Sequence, residues 1–181
     1  MPERAARKYF LRGKLVGLRP LEMGDLDRYC QWMNDPEVTL YLDQSFPCPR
    51  GYEAEYVESQ TKRQVTPPVN VALAICLLET GEHIGTIALD RINYVHGFAI
   101  TGAFIGESKY WGQNFGTDAM MLLLNYAFNT LRLRKVCASI KAFNARSLGF
   151  TAKCGYRELG RRKQQFLVNG QYEDEVMIEV F

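Results

Sequence analysis

Residues 110–120 read YWGQNFGTDAM, so that Gly112 and Gly116 bracket Gln113, Asn114 and Phe115 immediately before a long apolar run. The first backbone N–H groups of any helix lack an intrahelical partner, and aligned peptide dipoles add a partial positive charge there. Such a start can hold a pyrophosphate. Residues without a Cβ let the anion reach the amides, which is a use for Gly112 and Gly116. The same two glycines can also simply turn a strand into a helix, and the loop alone leaves both readings open. Asn144 and Ser147, three residues apart, are either the cap of a helix or two polar groups presented on one face. For moving a proton the chain offers Asp90, Glu107, Glu173 and Asp174, with His83 and His96 as alternatives, and each can equally be a surface or turn residue.

The elements that must position these groups follow from periodicity. Residues 14–19 (KLVGLR) read as a first strand. Leu26, Tyr29, Cys30 and Met33 recur at helical spacing with Asp25 able to cap the start, and Asn34-Asp35-Pro36 stops that helix. Residues 43–51 are loop, 51–64 a second helix, and Pro67-Pro68 closes it. Three strands then follow in 69–79, 82–95 and 98–107, joined at Thr80-Gly81 and His96-Gly97 as an antiparallel meander. Residues 117–131 form the longest apolar helix, 135–141 a strand, 145–154 a short helix, and Asn169-Gly170 turns a closing hairpin. The order β-α-α-β-β-β-α-β-α-β-β predicts an α/β fold: a mixed, mostly antiparallel sheet with helices on both faces. The glycine loop thus leaves the third meander strand and opens the longest helix. A dinucleotide-binding reading fails, because such a loop should follow the first strand of a βαβ unit.

Composition narrows the function classes. The 181 residues, 47% hydrophobic, suit one domain spanning 1–181. Twenty-two Lys and Arg against twenty Asp and Glu, without a basic block, argue against nucleic acid as a partner. Five cysteines without CxxC spacing read as thiols in a reducing compartment. The basic start MPERAARKYFLRGK lacks an apolar core of a leader, and no apolar run approaches the roughly 20 residues of a membrane span. A cytoplasmic protein with no membrane partner and no metal is expected.

The run Tyr110-Trp111-Gly112-Gln113-Asn114-Phe115-Gly116-Thr117-Asp118-Ala119 with its apolar helix resembles the acyl-CoA-binding motif of the GNAT N-acetyltransferases, in particular the RimJ/RimL branch that acetylates ribosomal-protein N-termini. IGESKYWG before it, LLLNYAFNTLRLRKV after it, then Asn144-Ala145-Arg146-Ser147 and Gly155-Tyr156, keep the register. Residues 18–38 and the closing hairpin extend the likeness over nearly the whole chain. The resemblance implies a GNAT fold whose central strand splays from its neighbour and direct transfer of an acetyl group from acetyl-CoA to a primary amine. It implies pantetheine contacts at Phe104, Ile105 and Gly106, with the Ile105 N–H on the thioester oxygen. The pyrophosphate cradle would be Gly112, Gln113, Asn114, Phe115, Gly116 and Thr117. Asn144 and Ser147 would lie near the pantetheine end, and Arg146 or Lys153 would either approach the ribose phosphate or stand in solvent.

Three departures matter. Asn114 stands where the loop usually has glycine, and asparagine is the non-glycine residue most tolerant of a left-handed backbone. The tyrosine that often protonates the leaving thiolate falls at Thr151, which leaves Ser147 as the hydroxyl best placed by spacing. The branch's glutamate two residues before Gly102 is Ile100 here. These losses keep a second reading open, an acyl-CoA-binding sensor or partner subunit without transferase activity. The acceptor, a small-molecule amine or a protein N-terminus, is expected among Trp32, Asn34, Tyr41, Phe46, Phe166 and Tyr172, with Asp35, Glu37 and Asp43 suited to a cation. A homodimer is possible on this reading.

Overall fold

The computed structural model describes residues 9–42, 46–62 and 66–181; the first eight residues of the basic start and Asp43 lie outside them. A short β1 (Leu11–Arg12) precedes β2 (Val16–Pro20). Helix α1 (Leu26–Met33) buries Leu26, Tyr29, Trp32 and Met33, the face that its spacing predicts. Asp25 does not cap it. Its carboxylate instead accepts from the Glu22 amide at 2.9 Å and takes a bidentate grip from Arg19, both bonds 2.7 Å. Pro36 ends α1 but opens a short α2 (Pro36–Thr39), since proline fits the first helical position and the Asp35 side chain accepts from the Glu37 amide. α3 (Arg50–Thr61) follows.

The meander is β3 (Val71–Leu77), β4 (His83–Asn93) and β5 (Phe98–Ile105). The apolar helix α4 (Phe115–Asn125) continues as a wider turn over Tyr126–Thr130. Then come β6 (Lys135–Lys141), α5 (Ala145–Lys153), and the hairpin β7 (Arg157–Val168) and β8 (Gln171–Val180). All strands join one sheet in the order β1-β2-β3-β4-β5-β6-β8-β7. Every pairing is antiparallel except β5 with β6, which the α4 crossover makes parallel. Side chains alternate between the faces. Leu89, Ala99, Val136 and Ile178 pack with Ala119, Met120 and Leu123 of α4 in the main core. On the opposite face a second cluster forms around Tyr29, Trp32 and Met33 of α1, with Phe104 against it.

The decisive register is at the sheet's centre. β5 pairs with β4 as far as Ile105, opposite Gly85. Its pairing with β6 ends at Ile100, opposite Cys137, while β6 runs on with β8 to Lys141. Residues 101–105 of β5 and 138–141 of β6 therefore bound a gap with its apex at Ile100 and Cys137. Among the described residues no helix is long and apolar enough to cross a membrane.

Candidate active site

The loop after β5 reaches the gap's open end. Gly112 has φ +76° and Asn114 φ +64°, both left-handed, so asparagine occupies the position where a Cβ is strained for most residues. The first helical amide with an acceptor in its own helix is that of Asp118, which donates to Asn114 O at 2.9 Å. The amides of Phe115, Gly116 and Thr117 thus lie at the unpartnered start of α4. A Cβ built on Gly112 or Gly116 meets nothing within 4 Å. The carboxylate of Asp118 is turned away from the ligand side: it accepts from the amides of Leu15 and Val16 at 2.8 and 3.0 Å and so fixes α4 to the β1–β2 turn. These features fit a pyrophosphate in that cradle.

Inside the gap, backbone groups divide by parity. The Gly106 N–H donates to Ile84 O of β4 at 2.9 Å, and Phe104, two residues back, also turns its amide toward β4. Those two amides therefore do not face the gap, which corrects the expectation of three successive pantetheine contacts. Phe104 instead packs its ring on Tyr29 and Trp32, and Gly106 makes room for Trp32, whose ring atoms would stand 2.1 Å from an added Cβ. Ala103 and Ile105 have the opposite parity. The Ile105 carbonyl accepts from Trp111 Nε1 at 2.7 Å, and its N–H points the same way into the gap.

The start of α5 forms the other wall. The Arg146 guanidinium lies 3.9 Å from the Trp111 ring centre and 4.9 Å from that of Tyr41, so it stacks on aromatic rings rather than standing free. Asn144 caps α5, its Oδ1 accepting the Ser147 N–H at 3.0 Å, which leaves its NH₂ group for another partner. Ser147 is half-buried. Thr151 is 4% exposed and its hydroxyl lies within hydrogen-bond reach of Ser147 O and Leu148 O, so it cannot serve a leaving thiolate.

The aromatic residues expected around the acceptor do not converge. Trp32 is 1% exposed and donates to Glu107, Asn34 clasps the backbone of Cys48, Phe46 is exposed, Phe166 packs under Lys141, and Tyr172 is exposed. The concavity lies on the same face but farther along the sheet. It has a volume of about 700 Å³, with Asp90, Ile100, Cys137, Ser139, Arg162 and Met177 in its lining. Asp90 pairs with Ile100 and Ile100 with Cys137, so the three stand in one row at the gap's apex, and Gly102, whose Cβ would meet nothing within 4 Å, is the next residue on that face.

Of the proposed proton acceptors, Asp90 alone belongs to this lining. Glu107 accepts from Trp32, Asp174 from Lys163 and the Gln164 amide, His83 packs on Trp32 beside Asp25, and His96 is exposed in the β4–β5 turn. Burial raises the Asp90 carboxyl above the ordinary range, and the neighbouring Arg91 charge only partly offsets it. Burial likewise raises the Cys137 thiol, with Lys135 pulling the other way. No group of metal-binding side chains occurs among the described residues.

Residues 16–157 match the family model described as the acetyltransferase (GNAT) domain. The chain belongs to the GNAT acetyltransferase family. It is 26% identical over 163 residues to the uncharacterized N-acetyltransferase p20 of Bacillus licheniformis, covering 90% of each chain. To the spermidine N(1)-acetyltransferase of Escherichia coli K12 it is 28% identical, covering 92% of this chain and 86% of that one. The spermidine N-acetyltransferase of Vibrio cholerae, solved in complex with CoA and spermine, superimposes with a TM-score of 0.82 at 22% identity, covering 92% of this chain and 95% of that one. The fold is the GNAT fold, and the protein is an N-acetyltransferase that uses acetyl-CoA as its acetyl donor.

Proposed function

We propose that the protein acetylates a small primary amine which reaches the thioester from the α1–α3 face, with both substrates bound together. The observation that carries this reading is the gap beyond Ile100 and Cys137: it adjoins the cradle at the start of α4 at one end and the cavity beside Gly102 at the other. Acetyl-CoA would lay its pyrophosphate on residues 112–117 and run its pantetheine arm inward past Ile105 and Asn144. The N–H groups of Ile105 and Ala103 face that path, and the one beside the acetyl carbonyl polarises it. Ser147 would donate a hydrogen bond to the leaving sulfur. An intermediate on Cys137 is disfavoured, because a thiol with a raised pKa is poorly nucleophilic.

A cavity of about 700 Å³ is of the size that takes small molecules. Its lining carries one carboxylate, Asp90, with the Arg91 guanidinium next to it in the chain and Arg162 paired with Glu175, and a single carboxylate suits an amine with a single charge better than a polyamine. The likeness to the RimJ/RimL branch supports a protein N-terminus as the second reading. Five cysteines without a disulfide suit the cytoplasm. The test follows free thiol release from acetyl-CoA with spermidine, glucosamine, tyramine and a short peptide with a free N-terminus. Turnover of tyramine or glucosamine at a higher kcat/KM than spermidine and the peptide is expected; a preference for spermidine refutes the charge argument, and a preference for the peptide favours the second reading.

A further inference from the structure

Ile100 of β5 lines the cavity at the gap's apex, and its antiparallel partner on β4, in the same lining, is Asp90. Directly paired residues on one sheet face carry their Cβ atoms about 4.5–5.5 Å apart. A carboxylate at 90 therefore serves almost the same space as one at 100. The geometry points to Asp90 as the catalytic base, which receives the acceptor's nitrogen at the cavity side of Gly102 and takes its proton. This inference rests on the acceptor reading above.

The surroundings fit the task. Asp90 is half-buried and has no ion pair among the described residues. Arg91 adjoins it in the chain, with its amide held by Asn70 Oδ1 at 2.9 Å. Tyr56 of α3 feels its charge, and Cys137 of β6 faces it across Ile100. Arg162 of β7 is committed to Glu175 at 2.7 Å. Such a base need not deprotonate a free ammonium to completion. The acceptor first loses one proton to solvent in the open cavity. Its lone pair then forms the C–N bond while the carbonyl π pair moves to oxygen, and the nitrogen, now positively charged, becomes strongly acidic. Asp90 takes that second proton. Collapse of the adduct breaks the C–S bond and sends the pair to sulfur, which is protonated from solvent; Asp90 releases its proton to water. Burial that raises the carboxyl brings the base closer to the operating pH.

The test uses the full chain, acetyl-CoA and whichever of the four amines the wild type acetylates fastest. Asp90→Asn should lower kcat/KM by roughly a hundredfold to ten-thousandfold, with acetyl-CoA affinity by calorimetry unchanged. Below the limb set by deprotonation of the amine itself, the wild-type kcat/KM profile should steepen through a second acidic limb above the ordinary Asp range, and that second limb should be absent from the variant. Adding Ile100→Glu to Asp90→Asn should restore at least about tenfold, because the carboxylate returns to the same space from the paired strand. A purely structural Asp90 would not be rescued that way. Full activity in Asp90→Asn, an unchanged second acidic limb, or a double variant that binds acetyl-CoA without recovery overturns the role of Asp90 alone. A wild type that binds acetyl-CoA and acetylates none of the amines overturns the acceptor reading itself.

Discussion

Gly116→Asp tests the cradle most cleanly, because the substitution can be made without disturbing the fold. Gly116 lies within the first turn of α4 at a helical backbone angle, and a Cβ there enters open space. Leaving glycine in a helix gains a few tenths of a kcal/mol, and an acidic side chain at a helix N-terminus gains about 0.3–1 kcal/mol more. The variant should melt no lower than the wild type, and up to a few degrees higher at about 2–4 °C per kcal/mol for a chain of this size. Binding should fail for the same electrostatic reason. The new carboxylate competes for the amides of Phe115, Gly116 and Thr117 and repels the pyrophosphate. Losing two charge-assisted hydrogen bonds at about 1.5–3 kcal/mol each amounts to about 3–6 kcal/mol, or roughly two to four powers of ten in Kd. Calorimetric titration with acetyl-CoA and a thermal melt read the two effects separately. An unchanged Kd would refute the cradle and leave the loop as a turn; a lower melting temperature would refute the claim that the site is open.

Ser147→Ala should lower kcat about tenfold to a thousandfold with acetyl-CoA affinity kept, while Thr151→Ala, whose hydroxyl bonds inside its own helix, should show its effect in a thermal melt and little in turnover; the reverse order would place the sulfur elsewhere along α5. Gly102→Val should fill the acceptor side of the gap, lowering kcat/KM for the amine by tenfold or more with unchanged acetyl-CoA affinity, since a Cβ at 102 clashes with nothing; an unchanged kcat/KM would exclude entry there. Burial alone would raise Asp25, but the hydrogen bonds from Arg19 and the Glu22 amide, with His83 Nδ1 3.2 Å away, hold it well below the usual carboxylate range. The stability it contributes is fully present above the unfolded pKa of about 3.9 and is lost progressively as pH falls from there toward the much lower folded value, so Asp25→Asn should be less stable than wild type at pH 7, with the difference narrowing steadily below pH 4 in chemical denaturation.

What the sequence shows plainly is local. Helical spacing in 26–33 and the Asn169-Gly170 turn are properties of neighbours in the chain, and both appear in the structure, with Asn169 at φ +49° and Gly170 at φ +79°. The left-handed Asn114 was legible for the same reason. Strand order was not, because the pairing of β8 between β6 and β7 joins residues distant in sequence. The parity that frees Ile105 and occupies Gly106 also depends on where β4 begins to pair, which no local pattern states. Aromatic composition misled at the acceptor: Trp32 and Phe104 cover the α1 side of the sheet, whereas the cavity lies farther along and has no aromatic residue in its lining. Pro36 shows a subtler limit, since one residue ends a helix and begins another.

Two aspartates show what an alignment by position cannot. Asp25 is 6% exposed and surrounded by donors, so its charge strengthens the fold. Asp90 is half-buried with its carboxyl raised by desolvation. Its folded form holds the proton more tightly than the unfolded chain does, so at any pH above the folded pKa its ionised state weakens the fold. Satisfied charges of the first kind are structural. A carboxylate of the second kind, facing the cavity at the gap's apex, is placed where an incoming nitrogen would supply the partner that the fold withholds. With isoleucine at position 100, the carboxylate in that row of the cavity comes from β4 at Asp90.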